Sequence, residues 1–255
     1  MKVIVLGSSG SVAAPHNPAS GYLIQPNHGP SIIMDMGPGV LAKLQQYHDP
    51  NDAHVIFSHL HPDHCLDFPS LLVWRRYHPT QPAPARNLCA GPIATPDHLG
   101  RLSADIPGEI DDMSDTFAFT YWEKHIPQLF DTVTITPYPA IHPIESYSLR
   151  IVENSTGKTI AYSGDTAYTE ELIECANEAD IFLCEATWGD TSANKAADMH
   201  MSGGEAGIIA TKARAKKLVL VHIPPWVDAQ AAKESAAQHY DGPIEVAYSG
   251  LKLMI

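Results

Sequence analysis

Long apolar runs are missing from this chain of 255 residues. Nowhere do about 18 consecutive apolar residues occur, which excludes a transmembrane helix. Cysteine is scarce too: Cys65, Cys89, Cys175 and Cys184 show no close pairing and no C-x-x-C. The opening "MKVIVLGSSGS" has only a short apolar run before polar, glycine-containing sequence, so it reads as a first core strand rather than a secretory signal. Together these absences favour reduced thiols and a cytoplasmic location. Basic charge is also short. Sixteen Lys and Arg face 29 Asp and Glu, for a net charge of −13. A nucleic-acid binder needs a basic face to displace counterions from phosphates, and this chain as a whole repels a polyanion unless a local patch or bound metal reverses the field. The acidity serves solubility first. It disfavours long nucleic acids and leaves small phosphate esters open.

Apolar content is ample, at 44% of residues, so a sizeable core is expected. No fixed-period repeat occurs, and no low-complexity segment beyond the proline cluster "HPTQPAP". One domain over 1–255 is therefore expected, and single α/β domains reach that length. Apolar runs bounded by Gly, Pro or Asn predict strands at Lys2–Leu6, Gly21–Gln25, Ser31–Met36 and Ala53–Phe57. Further strands are predicted at Thr132–Thr136, Tyr147–Val152, Thr159–Tyr162, Ile181–Cys184, Leu218–Val221 and Glu245–Tyr248. Helical spacing appears at Gly39–Tyr47, Phe68–Tyr77, Glu170–Ala176, Glu205–Ala213 and Ala229–Gln238. The acidic stretch Ala104–Phe130 reads as mostly irregular.

Three apolar strands end in a residue able to hold a metal: "HVIFSH" at His59, "TIAYSGD" at Asp165 and "LVLVH" at His222. Strand ends place side chains at one edge of a sheet, where ligands of open sheets collect. The first end continues as His59-x-His61-x-Asp63-His64, with Pro62 stiffening the backbone. Imidazoles two apart can point to one side of an extended loop, and Asp63 and His64 then turn to a second position. Zinc takes imidazole and carboxylate ligands, usually four, and catalytic sites keep a position for water. The string supplies two ligands to each of two neighbouring ions and needs distant residues to finish the shells. His142, between Pro139 and Pro143, can supply one. His222 supplies another, and Asp165 can bridge with its two oxygens. The count closes with His59, His61 and His142 on one ion, Asp63, His64 and His222 on the other, and Asp165 across both. Fourteen histidines leave others without a role, and His16, His28, His48, His98, His125 and His239 carry no functional claim.

The string, the later His142, "SGDT" and "LVHI" occur in an order that resembles the metallo-β-lactamase-fold hydrolases. Within them the chain is most similar to the RNase Z and phosphodiesterase branch, over nearly its whole length. The resemblance implies an α/β fold, an αββα sandwich with a dinuclear site at one edge. The metal it implies is usually zinc, while manganese and iron also suit N/O ligands. "LCEATW" ends a strand in Glu185, and "HMSGGEAG" puts His200 ahead of a helix for which Ser202 and Glu205 form a capping box. In the phosphodiesterase branch the matching Glu orients the matching His, which faces the scissile phosphate. That implies Glu185 and His200, together with Asp63, as catalytic residues. Otherwise Glu185 merely caps a strand and His200 is a solvated loop residue.

Two metals suit phosphodiester cleavage. The tRNA-processing endonucleases of the branch carry a long glycine-rich arm, which "PTQPAPARN" is too short to be. Their last motif has a serine and a basic residue where "HIPPW" stands here. In "VWRRYHP", Arg75 and Arg76 could meet a phosphate and Trp74 or Tyr77 could stack on a base. The alternative is a helix with Trp74 in the core and both arginines in solvent. "VLGSSGS", "NPASGY" and "LVWRRYHP" together resemble an actinobacterial group of atypical cyclic-nucleotide phosphodiesterases. The substrate so implied is a small cyclic nucleotide such as cyclic AMP, with a metal-bridging hydroxide attacking phosphorus. A tRNA 3′-processing endonuclease and a non-catalytic metal- or nucleotide-sensing module are the rival readings, with lactone or thioester hydrolysis further off. No membrane partner is expected, nucleic acid is disfavoured, and a homodimer is compatible with the sequence.

Overall fold

Aliphatic runs whose neighbouring residues face opposite ways build this protein, because both faces of its strands are covered. In the first strand Val3 and Val5 join one apolar cluster, while Ile4 and Leu6 join another. The computed structural model describes every residue from Met1 to Ile255. The first half runs β1 (Lys2–Gly7), β2 (Gly21–Gln25), β3 (Ser31–Met34), α1 (Val40–Leu44), β4 (Ala53–Ile56), α2 (Pro62–Cys65) and α3 (Phe68–Tyr77). It continues with β5 (Asn87–Gly91), α4 (Thr95–Ser103) and β6 (Phe117–Tyr121). The second half runs β7 (Gln128–Phe130), β8 (Val133–Pro139), β9 (Tyr147–Glu153), β10 (Thr159–Tyr162), α5 (Glu170–Ala176) and β11 (Ile181–Glu185). It ends with α6 (Gly203–Lys212), β12 (Leu218–Val221), α7 (Ala229–Ala237), β13 (Ile244–Val246) and β14 (Lys252–Met254).

Two seven-stranded sheets result, ordered β14-β1-β2-β3-β4-β5-β6 and β13-β12-β11-β10-β9-β8-β7. Each is antiparallel at one side and parallel at the other: β3 to β6 are parallel in the first sheet, β10 to β13 in the second. A cluster of 24 buried residues fills the space between the sheets, with Val5, Tyr22 and Met34 from one facing Leu149, Tyr162 and Val219 from the other. The outer face of the first sheet packs Leu23, Ile33 and Val55 on Val40, Phe68 and Leu71. The outer face of the second packs Phe182, Cys184 and Leu220 on Leu172, Ile209 and Ala236. The layers are therefore α, β, β, α, as the resemblance implied. All four cysteines are free and buried. No helix is long and apolar enough to cross a membrane.

The segment read as irregular, Ala104–Phe130, contains two strands. β6 lies at the open edge of its sheet, parallel to β5 with Asn87 opposite Phe117, and only Phe117 in it is fully buried. Such an edge strand shows weak alternation. β7 is three residues long and pairs with β8 across a turn at Asp131, where φ is +51°. Asp105, Glu109, Asp111, Asp112 and Asp115 lie before β6, in the loop that follows α4, and Glu123 follows β6.

Candidate metal centre

The site forms where ends of both sheets meet. Past β4 the chain bends at Ser58 and reaches His61, whose extended φ of −65° and ψ of 151° make it the N-cap of α2, and Pro62 then occupies the first helical position. His59 and His61 thus sit in the loop ahead of the helix, while Asp63 and His64 lie in its first turn. Asp165 follows β10 through Gly164, whose φ of +56° takes a left-handed turn that a side chain would resist. His222 follows β12 and itself takes φ +54°. Such backbone in a non-glycine residue persists only where its surroundings enforce it. Here the Thr187 hydroxyl lies 2.9 Å from His222 Nδ1 and 3.1 Å from its carbonyl oxygen.

Hydrogen bonds set the tautomers. His64 Nδ1 donates to Asp35 Oδ2 at 2.8 Å, and His142 Nδ1 donates to the Met199 carbonyl at 2.9 Å. Ser58 Oγ gives its proton to Asp35 Oδ2 at 2.8 Å, so at 3.1 Å it accepts from His59 Nδ1. Thr187 gives its proton to Glu185 Oε2 at 2.6 Å and so accepts from His222 Nδ1. Each of these four imidazoles turns its Nε2 inward, and that of His222 also accepts from Ser11 N at 3.4 Å.

The inward-facing ring nitrogens crowd one another. His142 Nε2 lies 3.0 Å from His61 Nδ1, and His64 Nε2 lies 3.2 Å from His222 Nε2. His59 Nε2 is buried without any hydrogen-bond partner, as is Asp165 Oδ1. The Asp165 carboxylate reaches both groups, with Oδ1 3.3 Å from His64 Nε2 and Oδ2 3.4 Å from His222 Nε2 and 3.7 Å from His59 Nε2. Donor atoms of His59, His61 and His142 all lie within 4.8 Å of one another, as do those of Asp63, His64, Asp165 and His222. Nitrogen and oxygen donors crowded into a buried gap need a proton or a cation between them. The residues fit divalent metal.

Charge agrees with that. Burial, then the neighbouring histidines, pushes His59 well below the ordinary imidazole range, and burial also lowers His61 and His142. Burial opposes ionisation of Asp63 and Asp165, yet the adjacent His64 and His222 hold both carboxyls well below their usual range. Burial also opposes a charge on His64, but Asp165, Asp35 and Asp63 outweigh it and raise that imidazole well above its usual value. In the absence of metal a proton occupies the place of a cation there.

Beside these donors stands a third group, Glu185 and His200, which reaches His222. Glu185 is fully buried. Its Oε1 accepts from Thr166 N at 2.8 Å and from His200 Nδ1 at 3.0 Å, while its Oε2 accepts from Thr187 Oγ1 and, at 3.2 Å, from Met201 N. Burial disfavours a charged His200, but Glu185 overrides it and lifts the imidazole to about 9. The capping box of Ser202 and Glu205 starts α6 immediately after it. His200 Nε2 makes no hydrogen bond within the chain. Trp188 packs edge-on against the ring, with centroids 5.1 Å apart.

The structure thus brings together His59, His61, Asp63, His64, His142, Asp165, His222, Glu185 and His200. It does not bring Arg75 and Arg76 to them, and the reading of these two as phosphate contacts is corrected. Arg75 is 2% exposed. Its guanidinium donates to the carbonyls of Pro50, Asn51 and Ala85 and to Asn87 Oδ1, and it lies 4.7 Å from the Phe117 ring. Burial lowers it to about 10. Arg76 is spent on the acidic loop, donating to Asp115 Oδ2 at 2.9 Å, Asp111 Oδ2 at 2.5 Å and the Asp112 carbonyl at 2.8 Å. Neither arginine is solvated either, so the bland alternative fails as well. The sequence reading also missed Asp35, Thr187 and Trp188. Asp35 had a signal: "SIIMDMG" ends an apolar strand in a carboxylate, as "TIAYSGD" does.

Residues 31–223 match the sequence profile of the beta-lactamase superfamily domain. The chain belongs to that superfamily. It is 46% identical to the uncharacterized protein Rv1339 of Mycobacterium tuberculosis, covering 96% of this chain and 88% of that one. It is 30% identical to the probable metallo-hydrolase YhfI of Bacillus subtilis, covering 98% of each. The crystal structure of YhfI superposes with a TM-score of 0.85 over 99% of this chain and 98% of that one, at 27% identity in the superposition. Human tRNase Z, short form, shares the fold with a TM-score of 0.77 at 20% identity, over 100% of this chain and 99% of its own. The chain has the metallo-β-lactamase fold, fits the RNase Z and phosphodiesterase branch, and carries His/Asp clusters suited to metal.

Proposed function

We propose that the protein is a dinuclear, zinc-dependent phosphodiesterase acting on a small cyclic nucleotide, with cyclic AMP as the leading example. The observation that carries this reading is His200. It is an imidazolium at neutral pH, held by a buried carboxylate beside two donor groups; Asp165 belongs to the second, and its Oδ2 lies 3.7 Å from His59 Nε2 of the first. Metal alone suits many hydrolyses, but a fixed cationic donor beside it suits a phosphate oxygen.

His59, His61 and His142 would hold one ion, Asp63, His64 and His222 the other, and Asp165 both. Divalent ions bound there supply Lewis acidity toward a phosphoryl oxygen and lower the pKa of water. Glu185 fixes His200 through Nδ1, which leaves the Nε2 proton for the phosphate or for the departing ribose 3′ oxygen. Thr166 N and Met201 N hold Glu185 in turn, so the donor cannot swing away when substrate enters. Asp63, kept ionised, contributes negative charge that anchors a cation and is 3.0 Å from His222 Nε2.

Zinc-loaded protein should be assayed on cyclic AMP, cyclic GMP, bis-p-nitrophenyl phosphate and precursor tRNA. Turnover of a cyclic nucleotide with negligible tRNA cleavage is the expected result. Efficient tRNA cleavage without cyclic-nucleotide turnover would replace this reading by that of a tRNA 3′-processing endonuclease.

A further inference from the structure

Against the His59–His64 string lies a cavity of about 370 Å³. Leu60 and Pro62 line it from the string, Pro92 and Ala94 from the turn entering α4, and Ile144 from the loop that carries His142. His61 forms part of the wall, so the cavity runs up to the metal donors. Its far side is rigid, since the Pro92 carbonyl accepts from Thr95 N at 2.9 Å and Thr95 Oγ1 at 2.7 Å. Glu145 ties two of the walls together, accepting from Ile93 N at 3.2 Å and from the Tyr147 hydroxyl at 2.9 Å.

The size and the lining point to a ligand. The volume falls in the range of ligand pockets, roughly 300–1,000 Å³, far above what one water fills. Ile93, Ile141 and Ile144 also stand exposed in these loops. Several aliphatic side chains left in water beside a polar centre mark a binding face. The polar contacts available are few. Glu145 can only accept, and His98 makes just one long contact, 3.9 Å to Cys65 Sγ.

We propose that this cavity seats the base of the nucleotide substrate and that Glu145 selects bases bearing an amino group. The inference rests on the phosphodiesterase reading above. Proline and aliphatic walls cover the faces of a flat ring. The Glu145 carboxylate accepts a proton from an exocyclic amine, and the His98 imidazole meets a ring nitrogen. A base with an oxo group at that position sets two acceptors against each other, which costs binding.

The first test compares cyclic AMP with cyclic IMP, where a 6-oxo group replaces the 6-amino group. Wild type should prefer cyclic AMP by about tenfold or more in kcat/KM, and Glu145→Gln should bring the ratio to within about twofold. The second test fills the seat by Ala94→Trp and compares cyclic AMP with methyl p-nitrophenyl phosphate, which has no base. The ratio of their kcat/KM values should fall about tenfold or more. Ile144→Ser, at a surface position, should lower it severalfold and keeps the test open should the tryptophan variant not fold. Hydrolysis of cyclic AMP with both ratios unmoved overturns the seat and leaves the phosphodiesterase reading intact. If zinc-loaded wild type hydrolyses neither ester, that reading falls instead, and equilibrium dialysis with adenosine decides the seat. Binding to wild type that Ala94→Trp abolishes supports it, and equal or absent binding overturns it.

Discussion

A histidine can assist phosphate chemistry without touching metal only if something else holds both its ring and its proton. Glu185 does both for His200, at 3.0 Å and fully buried. His200→Ala should therefore keep the metal content of the protein and lose on the order of a hundredfold or more in kcat on cyclic AMP. Glu185→Gln should show a weaker form of the same defect, because the imidazole survives without the charge that protonates it. If the proton goes to the leaving oxygen, the His200→Ala defect shrinks on p-nitrophenyl esters, whose leaving group needs little protonation. An equal defect on both substrates assigns His200 to stabilising phosphate charge instead. The pH profile offers a further check. His200 is charged below about 9, so activity should fall as pH rises past that value in wild type. Metal analysis showing an ion lost from His200→Ala, or unchanged turnover of cyclic AMP, would remove His200 from the chemistry.

At the scale of elements, α6 carries the start that fixes His200, and it lies close against α7. A Cβ at Gly207 would stand 2.4 Å from the Ala236 carbonyl oxygen and 3.0 Å from Ala236 Cα. Gly207→Ala gains about 1 kcal/mol in helix propensity but forces backbone apart, and overpacking of that kind costs typically 1–3 kcal/mol. The contact should win, and thermal unfolding should show a melting temperature some degrees below wild type. A more stable variant would mean the two helices separate freely. The elements differ in how far the sequence revealed them. β2, β10, β12, α3 and α5 were legible to the residue, because each is an uninterrupted apolar or amphipathic run between turn residues. β5 and β6 were not, since "NLCAG" lacks alternation and "FAFTY" follows a string of acids at a sheet edge. Among candidate site residues, the strand-end ligands stood out by position. Arg75 and Arg76 misled because their partners, the Pro50 and Asn51 carbonyls and the Asp111 and Asp115 carboxylates, lie 24 to 39 residues away. No local pattern records which carbonyl a guanidinium will meet once the chain has folded.

For the whole molecule, the two sheets meet at seven candidate ligands whose protonation couples metal to stability. His59, His61 and His142 have lowered folded values. Their neutral form fits the fold, so stability is lost as pH falls below the unfolded imidazole value of about 6.5, where only the unfolded chain takes the protons. Asp63 and Asp165, also lowered, contribute stability above the unfolded carboxylate range, and that contribution disappears as pH falls through their folded values. His64 runs the other way. Its folded value is raised, so its contribution is complete below the unfolded imidazole value and is lost as pH rises through the folded one. At neutral pH the metal-free protein thus keeps a proton on His64, and a divalent ion entering the second donor group must expel it. Calorimetric zinc loading at pH 7 in two buffers of different ionisation enthalpy should report release of about one proton per chain. Zinc at a thousandfold excess over its Kd should raise stability by about 4 kcal/mol, or about 8–16 °C in melting temperature for a chain of this size. That gap should narrow as pH is lowered from about 7 to 5, because protons then compete with the ion for His64. Asp165→Ala should lose most of it at every pH, since its carboxylate faces both donor groups. Zinc loading without proton release, or a melting gap indifferent to pH, would mean that the ion does not take the place of the His64 proton.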